Sequence, residues 1–393
     1  YFYYLTGFTE PRGWLVITAE GHTTLFCQPK DLEREIWDGI RLGPEAAPEH
    51  LGVSAAFSVA ELDQRLPRLL ENRAVVWYPF ATHAGLEGRI DGWLQKVRAR
   101  VRYGALCPES QRDLCTPLDE MRLVKDAHEL DIMRRASRIS ARGHIRAMQR
   151  SAAMLRAGQD VREYHLDAEL LHEFRQQGSQ YPAYGSIVAA GANACILHYR
   201  ADTAPIRSGE LVLIDAGCEL DGYASDITRT FPVNGRFSAE QRALHDLVGD
   251  AQAAALAQAR PGVPYEAGHL AAVQTLTEGL LRLGLLKGTL EKNLAEGLYQ
   301  RFYRHKTGHW IGMDVHDVGD YRLAGDSRLL EPGMAFTIEP GLYIGVDDTT
   351  VEPRWRGIGI RTEDDVLITD DGHRVLTEGL ARSADEIEAV MAG

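Results

Sequence analysis

Over roughly the first 120 residues, short apolar runs alternate with helical spacings of apolar positions. Residues 14–17, 22–26 and 74–78 read as strands, and 59–70 and 83–97 as helices, which predicts a small α/β domain. The opening Tyr1-Phe-Tyr-Tyr-Leu-Thr-Gly-Phe8 also reads as a strand. A domain boundary is expected between residues 116 and 125, dividing 1–122 from 123–393. Beyond it, Asp126-Ala-His-Glu129 forms a capping box for a long helix with Leu130, Met133, Ala136 and Ile139 at spacings of three and four, ending near Gly158. Residues 161–177 read as a second helix. Ser238-Ala-Glu-Gln241 is another capping box, opening a helix that Pro261-Gly262 ends, and 265–283 repeats the pattern. Between these helices lie apolar strands at 210–218, 223–233, 334–344 and 358–369. Long helices with hairpin-linked strands predict an α+β domain.

Composition narrows the classes. A chain of 393 residues with 45% hydrophobic and 25% charged residues is ordinary for a globular protein of two domains. The net charge of −13 argues against a nucleic-acid or anionic-membrane surface, and no apolar run is long enough to span a bilayer. Five cysteines, odd in number and without CxxC spacing, fit a reduced, cytoplasmic setting. No targeting peptide is visible. The chain begins at Tyr1 rather than Met, so a natural N-terminal stretch is expected to be missing.

The first domain carries no chemistry: His22, His50 and His83 lack partners at ligand spacing. The second offers Asp215, Asp226, His309, Glu339 and Glu363, each in or at the edge of an ordered segment. Four hard carboxylates and one imidazole exceed what one ion in an open site needs, and suit two divalent ions sharing carboxylates and a bridging hydroxide. An ionised Asp215 at the end of Leu211-Val-Leu-Ile is costly unless paired or metal-bound. A hairpin turning at 219–222 would bring Asp226 to the same sheet end, with Thr228 on its face to orient it. Either Asp alone is more often a turn cap or a surface residue than a ligand. His305 and His309 share a face if helical, or one cleft if the chain turns at Gly308, and His316 follows seven residues later. There is no H-E-x-x-H, which excludes a thermolysin-like zinc helix. Glu339 precedes a forced Pro-Gly turn. Arg361 and Glu363 share a strand face, where the guanidinium could pair with a ligand carboxylate and depress its pKa.

Taken together these segments resemble the aminopeptidase P (Xaa-Pro aminopeptidase) family of pita-bread metallopeptidases. The matching stretches are Leu197-His-Tyr199, Leu213-Ile-Asp-Ala-Gly-Cys218, Gly222-Tyr-Ala-Ser-Asp-Ile-Thr-Arg-Thr-Phe-Pro-Val-Asn-Gly235, Gly308-His-Trp-Ile-Gly-Met-Asp-Val-His-Asp-Val-Gly319, Thr337-Ile-Glu-Pro-Gly-Leu-Tyr-Ile344 and Gly357-Ile-Gly-Ile-Arg-Thr-Glu-Asp-Asp365. Tyr4-Leu-Thr-Gly-Phe-Thr-Glu-Pro11 looks like the family's N-terminal domain, so the resemblance spans nearly the whole chain. It implies a pita-bread catalytic domain behind a smaller creatinase-like α/β domain. It also implies hydrolysis of peptides with proline in second place.

By the same resemblance Asp215 chelates one metal, Asp226 and Glu363 bridge both, His309 completes the other site, and Glu339 is both ligand and acceptor of the water proton. His198 lies near the scissile nitrogen, His305 walls the proline pocket, and His316 contacts the scissile carbonyl. Arg361 and Tyr343 support the site, with Tyr343 and the three histidines contacting substrate. Oxygen-rich ligation favours manganese, with cobalt, iron or zinc as alternatives. Homodimers or tetramers are common in the family. Arg200-Ala-Asp202, Arg304 and Lys306 depart from its usual form and bear on substrate preference. A prolidase limited to dipeptides and a non-catalytic pita-bread binding module are the competing readings. A methionine aminopeptidase has no place for the first domain, and creatinase-like relatives lack the metal ligands.

Overall fold

The Asp126 carboxylate accepts from the amides of His128 and Glu129, and Glu129 answers by accepting from the Asp126 amide. This reciprocal cap starts the Ala127–Arg156 helix where the sequence places it. Its Ile132, Met133, Ala136, Ile139, Ala147 and Met148 form one buried stripe. The structure, a computed structural model, describes residues 1–200 and 203–392. The chain divides into two compact units, Tyr1–Leu118 and Asp119–Gly393, and a helix, Cys115–Leu123, runs across the division.

In the first unit, antiparallel strands Trp14–Ile17 and Thr23–Cys27 are joined in parallel by Ala55–Ser58, and Val75–Tyr78 pairs in parallel with Ser110–Asp113. Helices Leu62–Leu70 and Leu86–Arg98 cover a core of Phe26, Leu66, Ile90, Trp93 and Leu94. The opening residues are not a strand. Phe2–Thr6 is a short helix, closed by Gly7 at φ 62 with its amide on Tyr3 O, while Thr6 Oγ1 donates to Phe2 O and accepts from the Phe8 amide. Local capping outweighs the strand preference of the aromatic residues.

The second unit is α+β, with two pairs of helices backing antiparallel sheets. Ala127–Arg156 packs with Glu163–Gln176 against a sheet in which Leu211–Asp215 lies between Ile187–Ala190 and Thr228–Pro232. Helices Ala239–Leu256 and Glu266–Arg282 back Ala335–Ile338, Asp364–Ile368 and the Gly341–Ile344 hairpin with Ile358–Arg361. Strand alternation sorts the faces. Val212 and Ile214 join the helix-side core, whereas Leu213 packs with Ile187 and Tyr343 and Asp215 turns to the inside. Burying each large apolar side chain contributes about 1.5–3 kcal/mol, so the register that puts Val212 and Ile214 outward also fixes Asp215 inward.

Each of the four expected long strands is broken. The first becomes Leu211–Asp215 and Cys218–Leu220, the second Tyr223–Ala224 and Thr228–Pro232. The third is Ala335–Ile338 and Gly341–Ile344, and the fourth Ile358–Arg361 and Asp364–Ile368. Asp215 ends the first segment of its strand, and Asp226, Glu339 and Glu363 lie in the interruptions. The Ala239–Leu256 helix ends ahead of Pro261-Gly262, with the Ala257 amide on Ala253 O. The five cysteines are free, and among the described residues no helix is long and apolar enough to cross a membrane.

Candidate metal centre

Two close backbone approaches shape the site. A Cβ on Gly217 would lie 1.7 Å from Ser225 O, and one on Gly308 would lie 1.9 Å from Thr337 O. Only glycine lets the chain after Asp215 pass the chain before Asp226, or lets the residue before His309 lie on the Thr337 backbone. The Thr337 amide donates to His309 O, and the Glu339 amide to Thr307 O. Asp215, Asp226, His309, Glu339 and Glu363 consequently line one cleft of about 800 Å³, together with His198, His305, His316 and Arg361. Ligand atoms of Asp226, His309 and Glu363 lie within 4.8 Å of one another.

Side-chain bonds hold this set in place. Arg361 donates from Nη2 to Asp215 Oδ2 at 2.5 Å, from Nη1 to Tyr343 OH at 3.0 Å, and from Nε to Thr228 Oγ1 at 3.1 Å. Thr228 Oγ1 in turn donates to Glu363 Oε2 at 2.6 Å. One expectation is thereby corrected. Thr228 orients Glu363 rather than Asp226, because the strand break carries Asp226 out of register and the Glu363 amide bonds Thr228 O. The ligand carboxylate that Arg361 pairs with is Asp215, and it reaches Glu363 through Thr228. Nor does Tyr343 line the cleft. It is buried behind the wall, its hydroxyl 2.8 Å from His305 Nε2.

His305 Nδ1 lies 2.8 Å from Lys306 O, and His309 Nδ1 lies 3.0 Å from Trp310 O. A carbonyl only accepts, so both rings carry the proton on Nδ1. The free His305 Nε2 then accepts from Tyr343, and the His309 Nε2 faces Asp226 Oδ2 at 3.5 Å and Glu339 Oε1 at 3.8 Å. Neither histidine is helical; the chain bends at His305 and at Thr307, with no turn at Gly308 itself. The His316 ring packs edge-on against His309, centroids 4.2 Å apart. His198 stands exposed on the cleft wall, as do Arg200 and Lys306. Ala201 and Asp202 lie outside the described residues.

Sequence reasoning missed Tyr184. Its hydroxyl lies 2.7 Å from Asp215 Oδ1 and 2.5 Å from Asp226 Oδ1, linking the two. It also missed Asp365, whose carboxylate accepts from the Asp226 amide and from Ser137 Oγ. The His269–Thr307–Tyr303 hydrogen-bond chain beneath His305 went unread as well.

The electrostatics test whether cations fit here. Burial, reinforced by the facing Asp226, Glu339 and Asp215, pushes Glu363 well above the ordinary carboxylate range. Burial raises Glu339 to about 8, against the pull of His309 and Arg361. Asp215 is raised by burial despite Arg361. Burial opposes ionisation of Asp226 too, but the hydrogen bond and charge of His309 hold it low. His309 rises to about 9, burial being outweighed by Asp226 and Glu339. Burial, then Arg361, keeps His305 neutral, at about 3. Protein charge alone leaves these facing carboxylates competing for protons. An oxygen-rich donor set short of positive charge fits hard divalent cations.

The chain is similar to known proteins over its whole length. The family described as "Metallopeptidase family M24" matches residues 131–370, and "Aminopeptidase P, N-terminal domain" matches 1–77. The Xaa-Pro aminopeptidase of Escherichia coli (strain K12) is 43% identical, over 99% of this chain and 88% of that protein. The structure of Pseudomonas aeruginosa aminopeptidase PepP superimposes with a TM-score of 0.95 at 49% identity, covering 100% of this chain and 88% of that one. Zinc-substituted E. coli aminopeptidase P in complex with product does so with a TM-score of 0.94 at 42% identity, covering 100% and 88%.

Proposed function

The chain belongs to metallopeptidase family M24 and, within it, to the Xaa-Pro aminopeptidases, and from that premise we propose a pita-bread enzyme whose cleft hydrolyses the bond between an N-terminal residue and a following proline. Asp215 would hold one of two divalent cations and His309 the other, Asp226 and Glu363 would touch both, and Glu339 would complete the set. Bound there, the cations (manganese in this reading) would supply Lewis acidity and a shared water acidic enough to serve as hydroxide near neutral pH.

The remaining work falls to the chain itself. The bond before proline is a tertiary amide with no N–H, so ordinary strand-like recognition fails and a shaped wall must orient it. His305 suits that wall. Its proton is committed to Lys306 O and its other nitrogen to Tyr343, so it presents a fixed neutral ring. Arg361 fixes Asp215 and, through Thr228, Glu363. Glu339 would accept the proton of the attacking water. His198 would deliver one to the departing proline nitrogen, and His316 would hydrogen-bond the developing oxyanion. Exposed apolar Leu32, Ile36, Trp37 and Ile40, 77–86% accessible, support assembly into a homodimer or tetramer.

The observation that carries this reading is the meeting of Asp226, His309 and Glu363 in a cleft shared with Asp215 and Glu339. The test is turnover of a Xaa-Pro-Xaa tripeptide and a Xaa-Pro dipeptide, with metal counted per chain. Two ions with preference for the tripeptide are expected. Fewer than two ions in a fully active enzyme would overturn the dinuclear assignment, and dipeptide preference the substrate assignment.

A further inference from the structure

Asp317 follows His316 directly, yet its carboxylate is buried. Oδ1 lies 2.5 Å from Arg122 Nη2 and Oδ2 lies 3.1 Å from Lys125 Nζ, with both cations buried as well. Arg122 also reaches the exposed Asp314 at 2.8 Å. The intervening loop is closed on itself. The Asp317 amide donates to Trp310 O at 2.9 Å, the carbonyl that also receives His309 Nδ1. Gly312 donates to Asp314 O and accepts from the Ala224 amide. One carbonyl thus ties the backbone after His316 to the ring of His309. A buried ion cluster of this kind is weak evidence for stability, because apolar residues of similar volume often do as well or better. Fixing the place of a neighbouring group is a better account of it.

We infer that Asp317, clamped by Arg122 and Lys125, is a positioning residue for His316: it holds the 312–317 loop so that the His316 ring stays against His309 and faces the cleft. The inference rests on the reading above that His316 assists the reaction.

The test is a double-mutant cycle on the metal-loaded enzyme, with Asp317→Asn and Lys125→Met each made in the native and the His316→Ala backgrounds. His316→Ala alone should lower kcat about 100-fold. In the native background, Asp317→Asn should lower kcat about 30-fold, with KM within about threefold and metal content unchanged. In the His316→Ala background it should change kcat by less than about twofold. Equal losses in both backgrounds, or loss of metal, would show that Asp317 does not act through His316. If Asp317→Asn does not fold, Lys125→Met, which keeps the Arg122 pair, is read in the same way with an expected loss of about fivefold. If His316→Ala retains full kcat, the role given to His316 fails first, and the inference falls with it.

Discussion

Two groups of buried or half-buried carboxylates lie in the second unit, and they are neutralised in opposite ways. Asp364 is surrounded by protein donors: Arg229 Nη2 at 2.7 Å, Gln252 Nε2 at 2.9 Å and the Thr377 hydroxyl, all buried. Asp317 likewise has Arg122 and Lys125. The cleft carboxylates share Arg361 and His309 among four, and burial drives Glu339 and Glu363 upward. Buried acids with a full set of internal partners hold the fold together. The cleft acids, left short of positive charge, suit cations arriving from outside.

That contrast can be broken most forcefully by exchanging charge on each side. Asp226→Asn or Glu363→Gln should lower turnover by about a thousandfold or more and reduce bound metal, while the metal-free protein melts no lower than native apoprotein. Turnover with metal analysis and calorimetry would check both halves. Asp364→Ala should do the reverse. Leaving Arg229 buried without its partner should destabilise the unit by about 3–5 kcal/mol, read as a lower urea midpoint. Between these lies Thr228→Val, which removes the hydroxyl that orients Glu363. It should weaken metal binding about 10–100-fold, measured by competition with a chelator.

The smallest effect sharpens the comparison through pH. In metal-free protein, Glu339 and His309 bind protons more tightly than in the unfolded chain, at about 8 and about 9. Their contribution is therefore present at low pH and is lost as pH rises through those values. Between pH 6.5 and 9 the apoprotein should lose about 1.4 kcal/mol per pH unit for each proton retained. The metal-loaded enzyme should not follow, because cations replace those protons. Chemical melts with and without chelator across that range would show whether the two curves diverge.

How far the sequence foretold all this depended on the range of the interaction. The caps at Asp126 and Ser238 and the helices they open are short-range features, and each was legible. The α+β class and the family likeness were legible because the ligand-bearing segments keep recognisable neighbours. One of the four strand interruptions was legible, at the Pro-Gly turn after Glu339; the other three were not, and the approach of Gly217 to Ser225 that shapes the first two exists only in the folded chain. Tyr184 was missed because it contacts residues 31 and 42 positions away from a loop with no local signature. The partner of Thr228 was misassigned because alternation was carried across a break that resets it.

Those breaks have a thermodynamic corollary. Every candidate ligand but His309 sits where one hydrogen-bonded ladder stops or the next begins, and the set runs from Asp215 to Glu363. No local fragment holds enough of them to capture an ion, unlike a zinc finger, whose metal can recruit its own fold. Cation binding here can only follow the docking of all these ladders, so a rise in melting temperature with added metal would report completion of the whole unit.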